Sequence, residues 1–411
     1  MKCLKSVLFL GHNLELTKLI TNKDEVGTLN KYLIIVFLLS LLIARRAYSQ
    51  PSTDSLLITS TDSTNILENE LQDQTPFTAG FSYIYGFAIS HAKEVVNIRG
   101  TNPIGYELDF NWLLYTKETW DDCHCYPRLG FHLGFYDFDI NEIFGYGYEG
   151  GINFTYFFGL LSNFNFLVQG KAGLSYLTKP YDKETHPENM SYSTHLNYLL
   201  SAGGGMRFEF SDYVEAQFLV SMNHNSNAAL TEPNGGINYP ALSLAVGYTF
   251  RPIEIKPRTH PDPYLTSENK NRWDISPFWG ISAMPFPDPS QVPMFGINIV
   301  RSWQVMRFGA VTAGAEMEMN GRARLRVQRG TIEDQSPWRG SIQGGWEFLM
   351  GKTIFSIQLG FYVCRPHKEK DDVYQRYGLV YQVFDHLYAG INFKSYRNWA
   401  DHLDLRIIFS F

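Results

Sequence analysis

From about residue 77 onward, apolar and polar side chains alternate with a period of two in long stretches separated by polar turns, the pattern of β-strands with two unlike faces. Eight stretches precede residue 250, near 77–90, 103–115, 128–138, 143–159, 163–178, 194–210, 213–224 and 237–250. The last is the most regular. Asn238, Pro240, Leu242, Leu244, Val246, Tyr248 and Phe250 share one face, and Ile237, Tyr239, Ala241, Ser243, Ala245, Gly247 and Thr249 share the other. The first face is bulky and mainly apolar, the second mainly small or weakly polar. Residues 251–272 break the pattern with four prolines and many charges; proline cannot serve a central ladder, so this segment reads as a linker. About eight further stretches follow, near 273–284, 293–304, 307–319, 338–350, 352–364, 374–384, 386–395 and 402–411. The final one sets Leu403, Leu405, Ile407, Phe409 and Phe411 on one face, against His402, Asp404, Arg406, Ile408 and Ser410.

Strands this long and this aromatic favour a transmembrane barrel over a soluble sandwich. The predicted fold class is therefore all-β, an antiparallel transmembrane β-barrel. Residues 77–250 and 273–411 form two tandem eight-stranded halves, each large enough to close a small barrel. The competing arrangement is one barrel of about sixteen strands, with the linker as a long turn. An open half is excluded in lipid, where every strand edge must be paired. The halves end alike, in Val-Gly-Tyr-Thr-Phe and Ile-Ile-Phe-Ser-Phe, a weak repeat that suggests an internal duplication. A terminal alternating strand closing on phenylalanine resembles the strand that outer-membrane proteins present to the barrel-assembly machinery. The bacterial outer membrane is accordingly the expected location.

Composition agrees. Aromatic residues make up 15% of the chain, with 25 Tyr, 30 Phe and 34 Gly, which suits aromatic girdles and glycine-eased curvature. Mean hydropathy is −0.20, and beyond the N-terminal region no apolar run reaches the length of a membrane-spanning helix. A net charge of −6 and the lack of a basic tract argue against a nucleic-acid partner. Near the N-terminus, Tyr32–Ala44 is an apolar run of 13 residues, preceded by Lys31 and followed by Ala47-Tyr48-Ser49. Residues 1–49 thus read as a signal-peptide region with an N-terminal extension. An overlong translated start accounts for the extension; Arg45-Arg46 fits less well, and a membrane anchor is the competing reading. Residues 50–76, rich in Ser, Thr and Asp, read as a polar linker.

The four cysteines are too few for a disulfide framework. Cys3 lies in the segment expected to be removed and Cys364 stands alone. Cys123-His124-Cys125 offers three potential metal ligands, but zinc sites normally bring a second ligand pair at wider spacing. A local disulfide or a loop-tip accident is the better reading, and neither metal nor cofactor is expected.

Candidate chemistry appears where the seventh stretch meets the eighth, in His-Asn-Ser-Asn-Ala-Ala-Leu-Thr-Glu-Pro-Asn-Gly-Gly-Ile-Asn, residues 224–238. Val214, Ala216, Phe218, Val220 and Met222 form an apolar face that His224 continues, and Ser226 follows if the strand stays extended. Glu215, Gln217, Ser221 and Asn223 point the other way, into the barrel. Asn238 opens the apolar face of the eighth strand. Three polar side chains therefore cluster on a lipid-facing wall, where they cost free energy unless satisfied. Such a cluster suits acyl transfer, with His224 as general base and Ser226 as nucleophile. Asn227, Asn234 and the glycine-rich backbone can donate to an oxyanion. The plainer reading is an interfacial histidine beside a chance serine.

His-x-Ser-Asn-Ala, then Pro-Asn-x-Gly-Ile, closing on Val-Gly-Tyr-x-Phe, resembles the PagL-type lipid A 3-O-deacylase (acyloxyacyl hydrolase) family over His224–Phe250. The resemblance implies an eight-stranded outer-membrane barrel with a Ser-His-Glu site on the outer surface of its last hairpin. It assigns His224 the base position, Ser226 the nucleophile position, and Asn227 and Asn234 the oxyanion region. It also implies lipid A, or lipopolysaccharide, in the outer leaflet as substrate. The family's acid position falls on Asn238, which is neutral; Glu232 in the loop is the second candidate. The hairpin of the second half, Asn392 to His402, has no His-x-Ser. Its Lys394 and Arg397 read as ordinary loop charges or as contacts for lipid A phosphates. Two further readings remain: a non-catalytic barrel, structural, surface-binding or degenerate, and a passive pore, disfavoured because the inner faces look weakly polar. The sequence leaves the oligomeric state open.

Overall fold

A computed structural model describes residues 73–89, 100–256 and 271–411, apart from 124, 161, 334, 369, 370 and 398. The alternating stretches become sixteen strands. The first eight are β1 (Phe77–Gly86), β2 (Ile104–Leu113), β3 (Arg128–Asp137), β4 (Tyr146–Phe158), β5 (Phe164–Leu177), β6 (Leu196–Ser211), β7 (Val214–Ser226) and β8 (Ile237–Phe250). The rest are β9 (Asn271–Ala283), β10 (Gln291–Met306), β11 (Gly309–Asn320), β12 (Trp338–Met350), β13 (Thr353–Cys364), β14 (Val373–Phe384), β15 (Leu387–Tyr396) and β16 (Trp399–Ser410). Each set of eight closes on itself with antiparallel neighbours throughout. β1 pairs with β8 from Phe77↔Phe250 to Gly86↔Ala241, and β16 pairs with β9 through Leu405↔Trp279. Two tandem barrels, rather than one of sixteen strands, is the architecture.

Closure leaves each strand one outer and one inner face. On β8, Leu242, Leu244 and Val246 are 48%, 61% and 60% exposed, whereas Tyr239 between them and the site is fully buried. Exposed Phe, Tyr, Trp, Leu, Ile and Val recur around both barrels. A continuous apolar outer wall of this extent is the surface a barrel presents to hydrocarbon. Among the described residues no helix is long and apolar enough to cross a membrane.

The inner faces differ from the expectation of little polar surface. In the first barrel Glu215 receives both Arg128 and Arg207, the latter at 2.6 Å, and Lys171 lies between Glu107 and Asp109. In the second, Arg376 bridges Glu316 and Asp404 at 2.8 and 2.7 Å, and Arg339 bridges Glu318 and Asp401. Apart from Lys171, which is partly buried, these side chains are buried. The small inner residues of β8 make room for them: a Cβ on Gly247 would lie 3.1 Å from Glu215 Cγ. Burying one partner without the other is costly, so the charges occur as complementary networks. Lys394 belongs to the second network, at 3.2 and 2.6 Å from Glu316 and Glu318. It is neither a loop charge nor a phosphate contact. Arg397, in the turn before β16, is exposed and pairs with Asp371 at 3.1 Å.

Long connections gather at one end of each barrel, except residues 114–127 of the first, which hold the short helix Lys117–Cys123 and lie at the other end. In the first they are residues 138–145, 178–195 and 227–236; in the second they are 284–290, 321–337, which holds the short helix Gly321–Gln328, and 365–372. Tight turns such as Arg307-Phe308 and Asp385-His386 lie at the other end. Transmembrane barrels of this kind carry their longer loops on the extracellular side. Cys123 and Cys125 form a local disulfide with Cα atoms 5.1 Å apart. The expected signal-peptide region, most of the first linker, His124 and positions 257–270 of the second linker lie outside the described residues.

Candidate functional site

Strand β7 runs two residues beyond the end its alternation suggests, so His224 and Ser226 both lie on it. Residues two apart on a strand project from the same face. Register then sets His224 directly opposite Asn238 on β8, and the three side chains meet. His224 Nδ1 lies 2.5 Å from Asn238 Oδ1, and Nε2 lies 2.8 Å from Ser226 Oγ. A carboxamide oxygen only accepts, so this arrangement fixes the proton on Nδ1 and turns the lone pair of Nε2 toward the serine hydroxyl. On β6 the cross-strand partners are Tyr198, opposite Ser226, and Leu200, opposite His224. Leu200 and Leu242 are each 48% exposed, which places apolar wall beside the polar cluster.

The inner faces of the same two strands hold the outer pair in place. Asn225 Nδ2 donates to Glu149 Oε1 at 2.9 Å, and Asn223 Nδ2 donates to Tyr239 O at 3.3 Å. Ile237 and Tyr239 pack into a buried cluster with Tyr136, Phe138, Phe144, Leu177 and Tyr192. Side chains locked by such packing keep a neighbouring constellation within narrow geometric limits.

The loop after Ser226 is shaped by its own carboxamides. Asn227 N donates to Asn234 Oδ1 at 3.0 Å. Asn227 Nδ2 donates to Ser193 Oγ and Thr231 O at 3.2 and 2.9 Å. Glu232 Oε2 accepts from Asn234 N at 3.0 Å; the oxygen at His224 Nδ1 comes from Asn238. The donor that reaches Ser226 is a backbone group, Ala228 N, 3.4 Å from Ser226 Oγ. Ala228 and Ala229 adopt φ of 55° and 65°, a left-handed conformation that costs roughly 1–2 kcal/mol per non-glycine residue.

Two residues here, Ala228 and Gly236, stand in the motifs His-x-Ser-Asn-Ala and Pro-Asn-x-Gly-Ile without a role assigned from the sequence. Nothing in an Asn-Ala-Ala run announces a left-handed turn. Gly236 carried a signal in its Gly-Gly doublet, but one without an address. Its φ is +72°, and a Cβ there would lie 3.0 Å from His224 Cε1. Its N–H donates to Ser191 O at 2.6 Å, and Gly235 N to Met190 O at 3.0 Å, which ties the hairpin to the loop between β5 and β6. Gly236→Ala is expected to displace the imidazole and lower kcat on an acyl ester by about tenfold. Steady-state kinetics on the folded variant check this, and unchanged turnover would remove Gly236 from the site.

One group among the described residues brings three potential metal ligands together, Glu318, Asp401 and His402. Arg339 bridges the two carboxylates and Arg322 Nη2 lies 2.7 Å from Asp401, so guanidinium groups already supply the positive charge there. The outward cluster is a different kind of site, a hydroxyl, an imidazole and an orienting oxygen in line, which can form and hydrolyse an acyl-serine.

Two family models match the chain. Lipid A 3-O-deacylase (PagL) matches residues 104–248, and acyloxyacyl hydrolase, C-terminal domain, matches residues 271–411. The chain belongs to the PagL-type lipid A 3-O-deacylase family. Membership reaches both barrels, through a different model for each. No curated protein matches the chain. Among solved structures, the outer membrane enzyme PagL is 16% identical over 40% of this chain and 97% of that chain, with a TM-score of 0.31. Neisserial surface protein A is 12% identical over 42% and 97%, with a TM-score of 0.30. The N-terminal β-barrel domain of Pseudomonas aeruginosa OprF is 12% identical over 43% and 100%, with a TM-score of 0.27. The apolar outer wall described above suits a barrel that spans a membrane.

Proposed function

We propose that this protein is a serine esterase that removes an ester-linked acyl chain from lipid A at the outer wall of β7 and β8. The observation that carries the reading is the hydrogen-bonded line from Asn238 Oδ1 through the His224 ring to Ser226 Oγ, at 2.5 and 2.8 Å. His224 Nε2 takes the hydroxyl proton as Oγ attacks the ester carbonyl carbon. The resulting oxyanion meets the N–H of Ala228. The imidazolium then returns its proton to the departing sugar oxygen, leaving an acyl-Ser226. A water molecule, deprotonated by the same imidazole, attacks the acyl carbon; the C–Oγ bond breaks, the imidazolium returns its proton to Ser226 Oγ, and the fatty acid is released. No metal or cofactor enters these steps. Asn227 and Asn234 serve as positioning residues that hold the loop. The orientation suits the substrate, because acyl chains in the outer leaflet already lie against Leu200 and Leu242, while the sugar ester sits at the level of the loops.

A fluorophosphonate probe tests the nucleophile: folded protein is expected to become labelled at Ser226, and peptide mapping that finds the serine unmodified would end the esterase reading. One observation favours a second reading, an inactive relative. The residue at Nδ1 is a carboxamide, which orients the ring without stabilising imidazolium by charge.

A further inference from the structure

The loop that presents Ala228 to Ser226 leans on the second barrel. β16 pairs with β9 only as far as Leu403↔Ile281, which leaves the backbone N–H of Ala283 outside that ladder. It donates to Ala229 O at 2.7 Å. Directly opposite Ala283 in register is Gln291, the first residue of β10, and its Nε2 donates to Leu230 O at 2.7 Å. Two successive carbonyls of the loop are therefore held by two donors from one hairpin. The other side of the Ala229–Leu230 peptide is held as well, because Leu230 N donates to Asn227 O at 3.2 Å. Alongside, the ring of Tyr181 meets Phe286 edge-on at 5.7 Å.

The hairpin is in turn anchored to the interior of its own barrel. Buried Arg322 donates from Nε to Ala283 O at 3.0 Å, and its Nη2 pairs with Asp401 at 2.7 Å. The peptides on either side of Ala283 thus link an ion-paired core to the loop of the other barrel. Ala228 and Ala229 are 4% and 2% exposed and hold left-handed φ values. Non-glycine residues stay in that region only where their surroundings over-determine them. Asn227 and its partners supply part of that constraint, and the second barrel supplies the rest.

We propose that the second barrel is a positioning element for the esterase site, with Ala283 and Gln291 holding the Ala228–Leu230 turn so that the Ala228 N–H faces the oxyanion. The inference rests on the reading of Ser226 as nucleophile and assigns the second barrel a role in that reaction. Gln291 is a positioning residue and touches no reacting atom.

Gln291→Glu keeps the size of the side chain, removes the donor and sets a carboxylate against the Leu230 carbonyl; Gln291→Lys keeps a donor. In the full-length protein, Gln291→Glu is expected to lower kcat for fatty acid release from lipopolysaccharide by about five- to tenfold, with KM little changed. Amide exchange across residues 227–231 should quicken by a similar factor. Gln291→Lys should restore both. Unchanged turnover in Gln291→Glu, or a Lys variant as impaired as the Glu variant, overturns the proposal. The exchange measurement separates it from the esterase reading. If the native protein releases no fatty acid, the esterase reading fails, while faster exchange in Gln291→Glu, reversed by lysine, still supports the brace.

Discussion

Ser226→Ala is expected to cut fatty acid release from lipopolysaccharide by about 10⁴-fold or more, equivalent to roughly 5–6 kcal/mol of transition-state stabilisation. The imidazole keeps its partner at Asn238 Oδ1 but has no hydroxyl to deprotonate at Nε2. What remains is acyl-chain binding along the wall and the Ala228 N–H, the contributions that persist in serine hydrolases stripped of their nucleophile. Folding should tolerate the change. Ser226 is 4% exposed and gives up one contact to His224 and one from Ala228 N, a loss on the order of 1–2 kcal/mol. Mobility on unheated gels, which reports a closed barrel, is the control. A folded variant retaining more than a tenth of native turnover would identify another nucleophile.

Asn238→Glu is expected to raise kcat by about 10²-fold. The carboxamide accepts from His224 Nδ1 at 2.5 Å and so selects the productive tautomer without charge. Loss of the corresponding carboxylate in serine proteases costs about 10⁴, largely through the wrong tautomer; here the acceptor is retained and only the charge is missing. Two unit charges a few ångströms apart at an effective dielectric near 20 attract by about 4 kcal/mol. Desolvation of the new carboxylate offsets part of this, which leaves about 2–3 kcal/mol in favour of imidazolium. Asn238 is half-buried on the outer wall, so the extra methylene has room to extend. Parallel kcat measurements on native protein and variant check the gain. A native protein without turnover that becomes active as Asn238→Glu is a degenerate enzyme; one that stays inactive in both forms is not an esterase.

The strands were legible because each buries one face against ion pairs and turns the other to hydrocarbon, which imposes strict alternation over ten residues or more. His224, Ser226 and Asn238 were legible for the same reason: they extend the outer faces of β7 and β8. Ala228, Gly236 and Gln291 were not, because their positions depend on loop hydrogen bonds between segments far apart in sequence, which carry no period. Lys394 was misread for a related reason. It aligns with Asn392 on the inner face of β15, but the carboxylates that pair with it sit on β11, and a charge whose partners lie elsewhere in the chain looks like a surface charge. The inner walls were underestimated because each strand contributes few ionic residues, and only closure of the barrel assembles them into a network.

The outward direction of His224 and Ser226 also sets how such an enzyme responds to its surroundings. A lipid that meets the site sideways, within its own leaflet, never passes through bulk water, so the concentration governing turnover is a mole fraction in two dimensions. Dilution of the suspension leaves that fraction untouched, whereas inert amphiphile mixed into the same layer thins the substrate around each wall.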